Sequence, residues 1–308
     1  MKVSLIGLGK VGSAVAHAIV LKGLADELVL VSRRTEIAKS EADDLNHAAG
    51  LEEHSVDVRA GSDMDAAGSD VILYCDASPS TGADVDRYSA ARGNLQRLSQ
   101  RMPLLAAASP SAICVMVTNP VDVMSWFALQ VSGFPQERVF GVGTLLDTAR
   151  LRRLLSERLS VHTSDVRAYV IGEHGEDQVA SFSTASLGGE SMKPDDDLMS
   201  LARQAAESAG KIYRTRGYTN YGIAGATMMI LDAIRNNRRR TAPVSLRIND
   251  YYGVKDVCLS LPAVIGRRGI ERVLRPELNE AEQATFHRGA QRIREAIDIL
   301  APSLAAVS

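Results

Sequence analysis

Apolar positions in the first half of the chain fall into short, nearly continuous runs separated by amphipathic stretches. A run at 2–6 predicts a strand, a glycine-rich turn at 7–12 opens a helix through about residue 22, and 27–31 predicts a second strand. Runs at 70–74 and 112–117 are apolar at almost every position, the signature of parallel strands buried on both faces. Between them a polar stretch at 76–86 leads into a long helix from near Arg87 to near Ala107. This alternation predicts a doubly wound α/β sheet with right-handed crossovers. After about residue 142 the order changes. A helix carries Asp147, strands are expected near 166–171 and 178–182, and helices near 195–214 and 221–236. Strands near 243–248 and 261–265 and a closing helix at 279–300 complete an α+β unit. The expected division is a first domain at 1–141 and a second at 142–308.

The 308 residues, 45% of them hydrophobic, suffice for a large core. Lys and Arg number 35 against 37 Asp and Glu, so no overall field favours nucleic acid or an anionic membrane. No run approaches the roughly 18 apolar residues of a membrane span, and the amino terminus lacks a signal-peptide layout. Cys75, Cys114 and Cys258 are far apart in apolar surroundings and read as buried hydrophobes, neither disulfides nor metal ligands. A cytoplasmic protein without a metal site is expected.

Gly7-Leu8-Gly9-Lys10-Val11-Gly12 joins a strand to a helix, the arrangement that binds a dinucleotide. Gly7 allows the tight turn, Gly9 the close approach of a pyrophosphate, and Gly12 the packing of helix on strand; Lys10 and Val11 begin the helix whose positive end receives the phosphates. An acid normally ends the second strand and binds both ribose hydroxyls of NAD. Here Ser32 stands there, followed by Arg33 and Arg34. A hydroxyl and two guanidiniums suit a 2′-phosphate, so NADP(H) is the expected cofactor, with NAD(H) as the alternative.

His174 closes a predicted strand at 167–171 and lies between Gly172 and Gly175. Histidine is suited to giving and taking a proton near neutral pH. Upstream, Asp147 and Arg150 are three apart and share one helix face, so a carboxylate that can orient an imidazole sits beside a guanidinium that can grip an anion. Asn119 follows a strand in Thr118-Asn119-Pro120, with its amide directed at the crevice or capping the next helix. The remaining histidines, His17, His47, His54, His162 and His287, read as ordinary polar residues.

Seven segments together resemble the lactate/malate dehydrogenase family: GLGKVG, DLNHA at 44–48, TNPVD, GVGTLLDTARLR, YVIGEHG, GYTNYGIA at 217–224 and YGVKDVCLSLPAVIGRRGIERV at 252–273. Gly133-Phe134-Pro135, the GTLLDTAR run and the GYTNYG segment most resemble the L-2-hydroxyisocaproate dehydrogenase branch. The resemblance implies a Rossmann-type domain followed by a catalytic domain, and reduction of a 2-oxo acid to the L-2-hydroxy acid by a homo-oligomer, dimer or tetramer. It implies His174 as proton donor, Asp147 as its partner, Arg150 as the carboxylate-binding residue and Arg87 as the loop residue that polarises the carbonyl. Asn119 then donates near the carbonyl and contacts the cofactor, and Thr219 walls the pocket. Arg152 and Arg167 fall where some bacterial members bind an activating sugar phosphate.

Two departures modify these expectations. Thr81 occupies the position that usually selects the substrate side chain. Without a cation there, a second carboxylate is buried unpaired at a cost of several kcal/mol, which argues against oxaloacetate. Small residues Thr81, Gly82 and Ala83 leave room for a bulkier apolar side chain. Asp76 and Ser78 replace small neutral and glycine residues, which puts the cofactor contacts of this strand end in question. A lactate or malate dehydrogenase with a changed specificity residue is the alternative enzyme, and a nucleotide-binding sensor without turnover the alternative of another class.

Overall fold

The first five strands and their helices include every element expected in this half, together with a helix and a strand between residues 35 and 61 that the sequence pattern did not announce. They are β1 (Lys2–Ile6), α1 (Lys10–Lys22), β2 (Glu27–Val31), α2 (Thr35–Ala49), β3 (Asp57–Gly61), β4 (Val71–Tyr74), α3 (Ser89–Ala108) and β5 (Ile113–Met116). Next come α4 (Val121–Ser132), β6 (Val139–Gly141), α5 (Leu145–Leu159), β7 (Val166–Arg167), β8 (Val170–Gly172), β9 (Gln178–Ala180), β10 (Ser186–Leu187) and β11 (Glu190–Ser191). The chain continues with α6 (Asp196–Arg216), α7 (Tyr221–Arg235), β12 (Arg240–Arg247), β13 (Cys258–Gly266), β14 (Gly269–Val273), α8 (Glu280–Leu300) and α9 (Pro302–Ala305). The computed structural model describes residues 1–78 and 89–305, so Thr81, Gly82, Ala83 and Arg87 lie outside the described residues.

The parallel strands take the order β3-β2-β1-β4-β5-β6, and the first chain reversal, between β1 and β4, opens the crevice in which a dinucleotide binds. β4 and β5 are buried at every position, as strands covered by helices on both faces must be. Leu5, Leu28, Leu73 and Val115 are wholly buried, each contributing about 1.5–3 kcal/mol relative to exposure. Ser4 is the polar residue inside β1, and its hydroxyl is satisfied by Ser69 at 2.7 Å.

The second half continues the same sheet with antiparallel strands. Ser245 of β12 pairs with Gly141 of β6, and Ser260 of β13 pairs with Gly172 of β8. The segment expected as one strand at 167–171 is divided instead. Val166 and Arg167 pair with β10 in a small separate sheet, whereas Val170–Gly172 pairs with β9 in the large one. The break at Ala168 and Tyr169 lets the chain cross between two sheets that each need ladder partners. Two further strands exceed their predicted lengths, β12 and β13, whose Pro243 and Pro262 face each other across the ladder. The capping box of Asn279 and Glu282 starts α8, and that helix packs on β9 and β8 beside His174's turn.

Candidate active site

The glycine loop meets the requirements of a pyrophosphate cradle. Gly7 has φ of 103°, and a Cβ there would lie 2.5 Å from the Asp76 nitrogen. A Cβ on Gly12 would collide with the Gly7 carbonyl, while one on Gly9 would meet nothing within 4 Å. The tight positions are therefore Gly7 and Gly12, and the open face is at Gly9. Gly9 is the N-cap of α1 with no side-chain cap, and the first turn holds no acid, so main-chain N–H groups face an anion-ready space. The residues present fit a dinucleotide.

Gly7 donates to the Val31 carbonyl at 2.8 Å, which sets Ser32 next to this loop. Arg33 and Arg34 are exposed and make no ion pair among the described residues. The Ser32 hydroxyl accepts the Arg34 N–H at 3.3 Å, and α2 begins immediately after without a side-chain cap. The first-turn acid of α2, Glu36, is occupied by Lys39 at 3.4 Å. Lys10 lies over the Tyr218 ring at 5.2 Å, and Arg216 lies on the same ring at 4.6 Å. This stack draws the turn bearing Thr219, half-buried, against the cofactor loop.

Asp76 does not present its charge to the cradle. Its carboxylate is turned onto α3, 2.8 Å from Arg101 and 3.6 Å from Arg97. Arg101 also pairs with Asp63. Arg97 donates to the Ala77 carbonyl at 2.7 Å, and Thr118 donates to the Asp76 carbonyl at 2.9 Å. Asn94 links two strand ends, accepting from the Ser78 nitrogen at 2.5 Å and donating to the Asn119 carbonyl at 2.8 Å. The Ser78 hydroxyl lies where Gly93 lacks a side chain. The replacements at Asp76 and Ser78 are thus absorbed by α3.

Asp147, His174 and Arg150 come together. α5 is docked on β8 by Thr144, which donates to the Val170 carbonyl at 2.5 Å, and by Thr148, which accepts the Val170 N–H at 2.9 Å. This fixes Asp147, 3% exposed, beneath the end of β8. One carboxylate oxygen accepts from His174 Nδ1 at 2.6 Å and the other from Arg150 at 2.7 Å. With Nδ1 committed to the carboxylate, Nε2 is the nitrogen left to exchange a proton. Burial alone lowers the imidazole's affinity for a proton, but the Asp147 charge and hydrogen bond prevail and raise it above the ordinary histidine value. Burial likewise opposes ionisation of Asp147, yet His174 and Arg150 hold its carboxyl below the usual range. Arg150 uses one nitrogen on Asp147 and keeps the rest of its fork for an anion.

Asn119 is exposed at the end of β5, and its side chain has no partner among the described residues. It does not cap α4, because Pro120 is the N-cap and Asn119 lies one residue too early to reach the first-turn amides. Three residues on, the buried carboxylate of Asp122 accepts the His174 main-chain N–H at 2.7 Å. Asp122 and Asn94 were missed as contributors to the site. Asp122 belongs to the quoted TNPVD segment, but its burial is invisible in a helix's first turn, where acids are common. Arg152 stacks on Tyr169 at 4.7 Å and donates to the Ala168 carbonyl at 2.8 Å. Cys75 and Cys114 are pushed up to about 12 by burial, in keeping with inert thiols.

Comparison with known proteins covers nearly the whole chain. The lactate/malate dehydrogenase NAD binding domain matches residues 1–141, and the lactate/malate dehydrogenase alpha/beta C-terminal domain matches residues 144–301. L-lactate dehydrogenase of Thermus aquaticus is 38% identical, with 97% of this chain and 99% of the relative covered. L-lactate dehydrogenase of Synechococcus sp. (strain JA-3-3Ab) is 37% identical, with the same shares covered. The crystal structure of minor L-lactate dehydrogenase from Enterococcus mundtii, in ligands-bound form, superposes with a TM-score of 0.93 at 30% identity, covering 97% of this chain and 98% of that one.

Proposed function

The chain belongs to the lactate/malate dehydrogenase family, and on that premise we propose that it reduces a 2-oxo acid to the L-2-hydroxy acid through His174, Asp147 and Arg150. The observation that carries this reading is the continuous chain from Arg150 through Asp147 to His174. A binding module has no need of it. The nicotinamide of the bound dinucleotide supplies the hydride. Asp147 holds the ring so that Nε2 faces the substrate, and its charge favours the imidazolium that gives a proton to the carbonyl oxygen. Arg150 grips the substrate carboxylate, Asn119 presents an amide beside the carbonyl, and Thr219 forms pocket wall. Arg87 polarises the carbonyl in the same reading. In the reverse direction the same imidazole, unprotonated, removes the hydroxyl proton.

The finer reading is a preference for NADPH and for an apolar side chain larger than a methyl group. Ser32 with Arg33 and Arg34, which make no ion pair among the described residues, supports the first, and the absence of a cation at Thr81 supports the second. The functional division falls at residues 141 and 142, with Gly7, Gly9, Lys10, Val11 and Gly12 on the cofactor side. A cytoplasmic homo-oligomer completes the proposal, and free cysteines suit that compartment. Among the described residues no helix is long and apolar enough to cross a membrane. The names of the relatives favour a second reading, L-lactate dehydrogenase itself. Replacement His174→Asn tests the common core. It should preserve cofactor binding and lower turnover by about 10²–10⁴-fold; undiminished turnover would overturn the assignment.

A further inference from the structure

A second carboxylate holds the proton donor. Asp122 lies in the first turn of α4, is 2% exposed, and accepts the main-chain N–H of His174 through Oδ2 at 2.7 Å. Among the described residues its Oδ1 has no hydrogen-bond partner of ordinary geometry. An acid in the first turn of a helix gains from the helix dipole while fully solvated, so the dipole does not account for burying this one. Burial of an incompletely paired carboxylate is costly. The groups that face it come from several elements: His174 and Glu173 from the turn after β8, Ser245 from β12 and Cys258 from β13. Asp147 and Arg150 from α5 also act on the imidazole, Asp147 through the bond to Nδ1. The positive group that faces Asp122 is the His174 imidazolium itself.

We propose that Asp122 is a positioning residue for proton transfer, fixing the main chain of His174 while its charge favours the imidazolium that Asp147 grips through Nδ1. The inference rests on the reading of His174 as proton donor. It explains why a buried acid is kept where an amide would fit with less strain on the fold. Burial pushes the Asp122 carboxyl up from its ordinary 3.8 to about 6. Because the folded value lies above the unfolded one, the folded state favours the protonated form, and stability declines as pH rises through that interval. At neutral pH the charge therefore burdens the fold while it favours protonated His174.

The test uses Asp122→Asn and Asp122→Ala in the full chain. Asparagine keeps an oxygen for the His174 N–H and removes the charge. Asp122→Asn is expected to have a Tm at pH 7 equal to or above the parent's. The imidazole titration of His174, followed by nitrogen NMR, should move down by about one pH unit, and the alkaline limb of kcat/KM for 2-oxo acid reduction should move with it. NADH and NADPH affinities should be unchanged. Asp122→Ala also loses the anchor, and kcat should fall at least about tenfold. A lowered Tm in Asp122→Asn with an unmoved His174 titration would overturn the proposal, leaving a structural acid. The NMR titration needs no turnover, so it separates the outcomes. Wild-type protein inactive on every 2-oxo acid sinks the functional reading, whereas active wild type with an unmoved titration sinks this inference alone.

Discussion

Replacing Asp147 by asparagine removes the charge on which the proposed proton donor depends. The parent carboxylate is buried and holds two donors, His174 Nδ1 at 2.6 Å and an Arg150 nitrogen at 2.7 Å. An amide offers one oxygen and one NH2, so one of the two donors must face another donor. An opposite charge at this range raises an imidazole by roughly 1–3 pH units, each worth 1.36 kcal/mol. In the variant burial is no longer opposed by Asp147, and His174 should titrate below the ordinary histidine value. Reduction requires the protonated ring, so its alkaline limb should move to lower pH by about 1–3 units. At neutral pH the hydride-transfer rate should fall by about 10²–10⁴-fold, the usual contribution of a positioned general acid. Single-turnover reduction, followed by nicotinamide absorbance across the range in which histidine titrates, reads both quantities. A variant with the parent's alkaline limb and a rate within about twofold would refute the assignment of Asp147.

The last and the middle glycine of the cradle should respond oppositely to alanine. Gly12→Ala is expected to cost about 1–3 kcal/mol in a urea denaturation, because the new methyl meets the Gly7 carbonyl; Gly9→Ala should leave stability within about 0.5 kcal/mol and weaken cofactor binding, read by quenching of nucleotide fluorescence. Arg33→Ala should raise the KM for NADPH about tenfold and hardly alter that for NADH, and equal effects on both would contradict the 2′-phosphate reading. Asp76→Ala leaves Arg101 and Arg97 short of a buried partner and should cost about 3 kcal/mol, with an unchanged unfolding midpoint counting against the network.

Legibility of the fold followed how strongly each segment's own pattern was imposed by burial. β1, α1 and β2 have the predicted bounds, because apolar strands flank a glycine turn whose steric demands are local. β3 went unrecognised: Asp57, Arg59 and Gly61 dilute its apolar character, and as an edge strand it has one neighbour, β2. The start of β12 was masked by Pro243, whose missing N–H argues against a central strand, yet Pro262 opposite it shares the same defect. The division of 167–171 between two sheets depends on which downstream strand each half pairs with, β10 for Val166 and Arg167 and β9 for Val170 and Ile171, and has no local signal. In the site, spacing alone placed Asp147 and Arg150 on one helix face, and the structure joins Arg150 to Asp147 and Asp147 to His174. The neutralisation of Asp76 could not be read beforehand, because Arg97 and Arg101 look like solvated helix residues until α3 is laid against β4's end. Asp122's main-chain bond to His174 spans 52 residues and is a product of tertiary packing.

The central claim is hydride transfer between a nicotinamide and a 2-oxo acid at His174, and parallel oxidation of NADPH and NADH with a panel of acids tests it most directly. The panel is pyruvate, oxaloacetate, 2-oxoisocaproate and phenylpyruvate, each run with the parent protein and with His174→Asn. The account predicts turnover by the parent, fastest with NADPH and a bulky apolar acid and least with oxaloacetate, and near-complete loss in the variant. No turnover of any acid by a parent that still binds NADPH, or undiminished turnover in the variant, would contradict it.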